Sequence, residues 1–358
     1  MKIIHTADVH IGSAIKNLPN GKARARRQEG FTAFAYLVQY AKDRQVSAVL
    51  ICGDLFDEAS VSQSVIRQTF DIIAAAPEIA FFYCQGNHDK GTVFNGELPK
   101  NLFLFGDAHG WKSYALGENI VITGADSEYL SADEYARLQL SKTAYNIVVA
   151  HGEISTVSGK DRVCLPLLQN KGIDYLALGH IHNPAREMKK LDARGSYRYS
   201  GSLFSRGFDE CGQKGFYEIE IKGGRMLSEA LVTIPTVRAV NAYMVDVSAC
   251  QTSLQLEEKI CAALQGARTQ DIVKIVLKGR LQSSLKKYVY PIESAFNDKF
   301  FYCQLVDQTT VALGENERIS RSPLLAEFLR ILDSRPELAS QKQELLDVAC
   351  NALNGENL

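Results

Sequence analysis

Ala48-Val-Leu-Ile-Cys-Gly-Asp-Leu-Phe-Asp57 is an apolar run of strand length that stops at a glycine followed by two aspartates. The start of the chain has the same layout, because the apolar run at 2–7 leads directly into Asp8-Val-His10. Short apolar runs that end at turn residues are typical of strands buried on both faces. Each stretch therefore predicts a buried strand that carries polar side chains at its carboxyl end.

Similar strand-length runs recur through the first half of the chain, at 80–84, 119–123, 146–150 and 174–178. Helical patterns at 29–44 and 61–75 separate the first three strands. Strand and helix alternation of this length predicts parallel pairing, with helices on the faces of the sheet. The fold class is therefore predicted to be α/β.

A different texture follows from 196 to 234, where strands at 215–221 and 225–234 are joined by Gly223-Gly224. Two glycines between alternating strands are a strong hairpin signal. We expect this hairpin to form a second, antiparallel sheet that closes the same domain.

Pro235 introduces a third rhythm, which predicts a small α+β domain. Its expected elements are strands at 240–247, 271–277 and 300–306, a helix at 253–264, and a helix at 285–296 interrupted by Pro291. The predicted organisation is a large domain at 1–235, an α+β capping domain at 236–310 and a helical tail at 320–358.

The tail carries two amphipathic helices. Ser322 is expected to cap the first, with Pro323 in its first turn, and Pro336 precedes the second. Their apolar stripes consist of Leu324, Leu325, Phe328, Ile331 and Leu332 in the first helix and Leu338, Leu345, Ala349 and Leu353 in the second. These stripes either pack on the small domain or bind a partner.

Composition excludes several classes of function. Forty Lys and Arg balance 41 Asp and Glu, so the net charge of -1 provides no global attraction to DNA or to an anionic membrane. The opening residues form no signal peptide, and no run is long enough to span a bilayer, which leads us to expect a cytoplasmic protein. The eight scattered cysteines form no C-x-x-C pair and are given no catalytic role.

Polar clusters follow five of the predicted strands, and five of the seven histidines lie in them. Carboxyl ends of parallel strands meet at one edge of a sheet, so these clusters should converge in one crevice. Imidazoles, carboxylates and an amide suit two divalent cations, and Asp54 is expected to bridge them. The clusters are Asp8-Val-His10, Gly53-Asp54-Leu-Phe-Asp57, Gly86-Asn87-His88-Asp89, His151-Gly-Glu153 and Gly179-His180-Ile-His182.

Taken together, these motifs resemble those of the calcineurin-like metallophosphoesterases. The resemblance implies a four-layer α/β/β/α sandwich with a smaller α+β capping domain. It also implies two metal sites that share one ligand, and a free histidine, His88, that faces the scissile phosphate. The implied ligands are Asp8, His10, Asp54 and His182 for one metal, and Asp54, Asn87, His151 and His180 for the other.

Two metals of this kind activate a water for attack on a phosphodiester, and His88 is expected to assist the leaving oxygen. We expect Asp89 or another nearby carboxylate to orient His88. Asp57 has two open interpretations. It either orients His88 or a metal-bound water, or it forms a purely structural hydrogen bond.

More specific phrases resemble the SbcD-type DNA-repair exonucleases, in particular their YhaO-like bacterial form. These are the stretch from His5 to Gly12, the stretch from Gly53 to Asp57, and Tyr199-Ser-Gly-Ser202 followed by Gly215-Phe-Tyr-Glu-Ile. The resemblance covers about residues 1–235. Protein phosphatases are disfavoured, because Glu58-Ala59 stands where their motif continues with arginine.

The resemblance implies a Mn²⁺-dependent DNA exonuclease or endonuclease of DNA repair, a homodimer, and an SMC-like coiled-coil ATPase as partner. Two other functions stay open. One is a small-molecule or cyclic-nucleotide phosphodiesterase on the same fold, and the other is a scaffold that has lost its chemistry.

A basic stretch, Lys22-Ala-Arg24-Ala-Arg26-Arg27, follows the first metal motif. Arg24, Arg26 and Arg27 are candidate contacts to DNA phosphates, and Lys160 and Arg162 are weaker ones. The alternative is a solvated charged face at the start of a helix.

Overall fold

The computed structural model of the protein describes residues 1–13, 18, 20–57, 61–89, 96–105, 110–126, 130–312 and 323–353. The apolar run at 48–52 forms a strand, as predicted. Two compact units divide the chain. The first contains Met1–Ala242, Arg268–Val273 and Phe300–Tyr302, and the second contains the remaining segments. The predicted boundaries near 235 and 310 stay predictions.

The elements of the first unit follow the predicted alternation of strands and helices. Its helices are α1 (Asn20–Asp43), α2 (Gln63–Ala74), α3 (Ala132–Arg137) and α4 (Leu165–Leu168), with a 3₁₀ turn at Phe208–Glu210. Its strands are β1 (Lys2–Thr6), β2 (Ala48–Cys52), β3 (Ala80–Cys84), β4 (Leu102–Leu104), β5 (Lys112–Leu116), β6 (Ile120–Gly124), β7 (Tyr145–His151), β8 (Glu153–Ser155), β9 (Arg162–Cys164), β10 (Tyr175–Gly179), β11 (Lys189–Lys190), β12 (Ser196–Tyr199), β13 (Gly215–Lys222) and β14 (Arg225–Thr233).

Two six-stranded sheets form the centre of this unit. The first has the order β14-β13-β1-β2-β3-β4 and the second the order β11-β12-β10-β7-β6-β5. Parallel pairing joins β1, β2 and β3 in the first sheet, and β6, β7 and β10 in the second. The predicted hairpin is present, but the prediction that it forms a second sheet is wrong. Its strand β13 instead extends the first sheet antiparallel to β1, with Ile3 opposite Ile219.

The apolar residues of β2 divide between two cores because successive side chains of a strand face opposite ways. Val49 and Ile51 pack with Phe34 of α1 and Ile73 of α2 on the outer face of the first sheet. Leu50 packs between the two sheets, and that inner core also contains Ile3, Phe82, Ile147, Val149 and Ala177. Burial of each Val, Leu, Ile or Phe side chain contributes about 1.5 to 3 kcal/mol.

The outer face of the second sheet is covered in the same way. Val148 and Leu176 pack with Tyr135 of α3 and Leu168 of α4. The resulting order of layers is helices, sheet, sheet, helices. This confirms the predicted four-layer α/β/β/α sandwich.

Helix α1 begins at Asn20, earlier than the predicted start at 29, so the basic stretch forms its first turns. Helix α2 begins one residue after Ser62, whose hydroxyl accepts a hydrogen bond from the backbone N–H of Val65 at 3.4 Å. Such a side-chain cap is worth about 1 kcal/mol.

The remaining elements match the predicted small α+β region. A three-stranded sheet of order β15 (Val240–Asp246), β16 (Ile272–Lys278) and β18 (Tyr302–Asp307) is accompanied by helices. Pro291 lies in the first turn of α7 (Val289–Lys299), where a missing N–H costs little. The other elements are α5 (Ser253–Ala263), β17 (Arg280–Gln282), α6 (Ser283–Lys286) and β19 (Thr310–Ala312).

The tail forms α8 (Pro323–Asp333), a 3₁₀ turn at Pro336–Leu338 and α9 (Lys342–Leu353). The predicted cap Ser322 and the side chain of Leu353 lie outside the described residues. Leu329, Leu332 and Leu346 form a small core shared by α8 and α9. Among the helices that the structure describes, none has the length and apolarity needed to cross a bilayer.

Candidate metal centre

The predicted site residues leave their strands through unusual backbone conformations. Asp8, His10 and Asp54 have φ values of 50, 50 and 52°, and His180 has a φ of 105°. A positive φ costs a residue with a Cβ atom of order 1 to 3 kcal/mol, and such residues cluster at functional sites. The packed sheets must hold these turns in place.

Close packing of the strands at this edge requires glycine. A Cβ atom on Gly53 would lie 2.1 Å from Nδ1 of His151, and one on Gly86 would lie 2.2 Å from Oδ1 of Asp54. Glycine is therefore required at both positions, because any larger residue would displace a candidate ligand.

The first group of candidate ligands contains Asp8, His10 and His182, whose ligand atoms lie within 4.8 Å of one another. Nε2 of His10 is 3.3 Å from Nε2 of His182, which is in turn 3.9 Å from Oδ1 of Asp8. All three are buried or half-buried. They come from the ends of β1 and β10, which belong to different sheets.

A second group lies around Asn87. Its Oδ1 atom is 2.9 Å from Nε2 of His151 and 3.3 Å from Nδ1 of His180. His180 donates its backbone N–H to the carboxylate of Asp8 at 3.0 Å, which links the two groups.

Asp54 lies between the two groups. Its Oδ2 atom is 3.7 Å from Nε2 of His10 and 3.4 Å from Nε2 of His151, while Oδ1 accepts the backbone N–H of His88 at 2.8 Å. This is the position that a bridging carboxylate requires. The structure thus brings all seven predicted metal ligands together, and their ligand roles stay a proposal.

The hydrogen bonds of His151 test whether a cation fits. Its Nδ1 atom is 2.9 Å from the carbonyl oxygen of Cys52, which can only accept, so Nδ1 carries the proton. In the neutral ring, the form that binds a metal, the lone pair of Nε2 faces the amide oxygen of Asn87, another acceptor. Two lone pairs that converge in a buried site suit a cation.

Electrostatics support the same conclusion. Burial and the nearby Asp54 raise the pKa of Asp8 to about 6. Burial alone would lower the pKa of His151, but the hydrogen bond and charge of Asp54 raise it to about 9. Two buried carboxylates that favour extra positive charge would equally favour a bound cation.

His88 lies beside the first group, with its ring centroid 4.9 Å from that of His10, and one ligand atom each of His10, Asp57 and His88 lie within 4.8 Å of one another. His88 is about half-buried, and its Nδ1 atom lies 3.4 Å from Oδ1 of Asp57. The hydrogen bond that His88 donates to the Asp57 carboxylate raises the pKa of His88. Of the two predicted interpretations of Asp57, the geometry favours the one in which it orients His88.

Asp89 has different contacts from those predicted. Its carboxylate accepts the backbone N–H groups of Phe56 and Gly86, each at 2.9 Å. These contacts hold the loop after β3 against the loop after β2. Asp57, and not Asp89, is therefore the carboxylate found beside His88.

Sequence reasoning missed three residues around His182. Oε1 of Glu210 lies 2.6 Å from Nδ1 of His182, Arg206 binds Glu210, and Nζ of Lys214 donates to the backbone carbonyl of His182 at 2.6 Å. Burial alone would raise the pKa of Glu210, but His182 and Arg206 lower it to about 2. Glu210 follows His182 by 28 residues and belongs to no motif, so no local signal indicates it.

Arg26 does not fit its predicted role as a phosphate contact. Its side chain is fully buried, pairs with Glu29 and donates to the backbone carbonyl of Ser205. Arg24 and Arg27 are exposed and line a pocket of about 320 Å³ beside Ile11 and Gly12. Within the described part of the chain, neither of these two arginines forms an ion pair.

Comparison with known proteins agrees with this geometry. A protein from Bacillus subtilis named "Uncharacterized metallophosphoesterase YhaO" is 27% identical over 298 residues, which cover 78% of this chain and 72% of that protein. The "DNA double-strand break repair protein Mre11" of Methanopyrus kandleri is 24% identical over 308 residues, 78% of this chain and 65% of that protein. The Mre11 protein of Aeropyrum pernix is 27% identical over 225 residues, covering 56% of this chain and 53% of that protein.

Among solved structures, a dimetal phosphatase from Danio rerio aligns with 65% of this chain, with a TM-score of 0.45 and 10% sequence identity. The model of the calcineurin-like phosphoesterases matches residues 1–184, half of the chain, and that span contains all seven candidate ligands. The family fold implies two divalent metals. The chain therefore belongs to the calcineurin-like phosphoesterase family and is a metal-dependent phosphoester hydrolase.

Proposed function

We propose that this chain is a two-metal DNA nuclease of the SbcD and Mre11 type that acts in DNA repair. The observation that carries the proposal is the position of Asp54 between two groups of ligands, with His88 and Asp57 beside them. The names of several relatives, which are DNA double-strand break repair proteins, support DNA as the substrate.

One metal would be held by Asp8, His10, Asp54 and His182, and the other by Asp54, Asn87, His151 and His180. Nitrogen and oxygen donors without thiolates suit Mn²⁺, which we propose as the metal. When bound, the pair supplies a hydroxide at neutral pH and neutralises charge on the phosphate.

The chain's own residues provide the rest of the chemistry. His88 belongs to neither proposed set of ligands, and its Nδ1 atom lies 3.4 Å from Oδ1 of Asp57. The other ring nitrogen of a protonated His88 can donate to the oxygen that leaves the phosphate. General acid catalysis of this kind contributes about 10² to 10⁴ in rate.

Two surfaces support the proposed partners. Arg24 and Arg27 present two cations next to the loop that carries His10, where a DNA strand can pass without base recognition. On the tail, Leu324 and Ile331 are 66% and 44% exposed and line an apolar groove between α8 and α9. We propose this groove as the contact with an SMC-like coiled-coil ATPase. A homodimer and a cytoplasmic location remain predictions.

A direct experiment is to incubate purified protein with labelled duplex and single-stranded DNA in Mn²⁺, in Mg²⁺ and in chelator. The expected result is cleavage in Mn²⁺ that chelator abolishes. Metal-dependent turnover of nucleotide esters without DNA cleavage would instead establish the small-molecule phosphodiesterase. A protein that binds metal but cleaves neither substrate would favour the scaffold.

A further inference from the structure

Glu210 is a buried carboxylate outside every strand-end motif, and it touches a candidate metal ligand. It ends the 3₁₀ turn Phe208–Glu210, and its Oε1 atom lies 2.6 Å from Nδ1 of His182. A buried charge is costly unless it is paired, so this carboxylate requires an explanation.

We propose that Glu210 is the positioning residue that fixes the tautomer and ring orientation of His182, and that Arg206 holds Glu210 in place. The inference rests on the proposed metal centre. It adds a residue that acts through a ligand and touches neither metal nor substrate.

The assignment of the proton follows from geometry. Nδ1 of His182 lies 2.6 Å from Oε1 of Glu210 and 3.1 Å from Nη2 of Arg206. If Nδ1 accepted a hydrogen bond from Arg206, its lone pair would face a carboxylate oxygen at 2.6 Å, which is strongly repulsive. Nδ1 therefore donates to Glu210, and the lone pair of Nε2 points toward His10 and Asp8.

Arg206 and Lys214 keep this arrangement rigid. Arg206 donates its backbone N–H to Oε2 of Glu210 at 2.8 Å and its Nε–H to Oε1 at 3.1 Å. Lys214 holds the backbone carbonyl of His182 at 2.6 Å. Both the ring and the main chain of His182 are thus anchored by contacts within the protein.

Loss of the carboxylate has a defined consequence. Without Glu210, His182 can take the tautomer that carries hydrogen on Nε2, where a cation belongs. Removal of such a partner typically weakens metal binding about 10 to 100-fold. Only the site that contains Asp8 and His10 should be affected, because His151 has its own partner in the carbonyl of Cys52.

The test is calorimetric titration of Mn²⁺ into the Glu210→Gln variant and the wild type. We expect one of two sites to weaken about 10 to 100-fold and the other to keep its affinity. Glu229→Gln is the matched control. Glu229 lies on β14, and its Oε1 atom accepts a hydrogen bond from Nη2 of Arg198 at 2.7 Å. This variant should leave both sites unchanged. Two unchanged sites in Glu210→Gln would overturn the proposal.

A second measurement needs no variant. Nitrogen-15 NMR of the metal-free wild type, with the His182 signals assigned by the His182→Asn variant, should show the proton on Nδ1. A proton on Nε2 would overturn the proposal even if Glu210→Gln failed to fold. Wild-type protein that binds no Mn²⁺ at all would instead contradict the metal centre and the proposed function.

Discussion

Nδ1 of His88 and Oδ1 of Asp57 lie 3.4 Å apart, although the two residues follow different strands of the first sheet. The pair stands beside the candidate metal groups and belongs to neither set of proposed ligands. The proposed proton transfer and the proposed metal binding therefore rest on different residues, and the two can be tested independently.

The first prediction concerns His88. Replacing His88 by Gln should leave metal binding intact and lower DNA cleavage by about 10² to 10⁴, because the side chain acts on the leaving oxygen. Elemental analysis and a cleavage assay on the same sample provide the two measurements. Loss of metal from this variant would show that His88 is a ligand.

The second prediction concerns Asp57, which should act through His88. Asp57→Asn should slow cleavage in the wild-type background but have little further effect in the His88→Gln background. A double-mutant cycle of single-turnover rates measures this coupling. Fully additive effects would assign Asp57 a separate role.

The third prediction concerns the bridge. Asp54→Asn should weaken both metal sites together, because one carboxylate neutralises charge that two cations share. Asp8→Asn should affect mainly one site. Calorimetric titration with Mn²⁺ is the measurement, and two normal sites in the Asp54 variant would contradict the assignment.

The fourth prediction separates neighbouring arginines. Arg24→Gln and Arg27→Gln should each weaken DNA binding at all sequences. Each should also reduce the slope of log affinity against log salt concentration by about one, which corresponds to the loss of one phosphate contact. Arg26→Gln should instead destabilise the fold, by about 1 to 3 kcal/mol, because it removes the buried donor to Glu29 and to the backbone carbonyl of Ser205, while Arg238 stays paired with Glu29. Salt-dependent binding assays and denaturant unfolding distinguish the two effects. Equal loss of DNA affinity in all three variants, with stability preserved, would contradict this division.

The fifth prediction concerns the tail. Leu324→Ser combined with Ile331→Ser should abolish co-purification with the ATPase and leave the melting temperature nearly unchanged, because both residues are exposed. Leu329→Ala is the contrast, since Leu329 is only 4% exposed and should lower the melting temperature of the tail. Truncation after residue 321 should likewise preserve basal cleavage. A large loss of melting temperature on truncation would favour a tail that packs as core.

The individual strands could be predicted because burial on both faces leaves a continuous apolar run, as in β2 and β7. Their division between two sheets could not, since an apolar run reports burial and does not identify the neighbouring strand. The hairpin at Gly223-Gly224 illustrates this limit. Its turn could be predicted from the two glycines. Its pairing with β1 could not, because the paired residues are about two hundred positions apart in sequence.

The same distinction applies to the site. The convergence of Asp8, Asp54 and His151 could be predicted because each lies at the carboxyl end of a predicted strand. The role of Glu210 could not, because its contact with His182 arises only in three dimensions. Arg26 was misassigned because α1 begins earlier than predicted. On that helix, Arg24 and Arg27 share a face, while Arg26 points about 200° away from Arg24, into the interior.

The two sheets contribute unequal parts of the candidate centre, and this has a consequence for the order of assembly. The first sheet supplies Asp8, His10, Asp54 and Asn87, whereas the three histidines His151, His180 and His182 arrive only with the second. A growing chain that has completed only β1 to β3 contains the proposed ligands of the first sheet and none from the second. Hydrolytic activity would therefore appear late in biosynthesis, once the two sheets pack together. A bound cation would then stabilise the packing of the two sheets, because its ligands come from both.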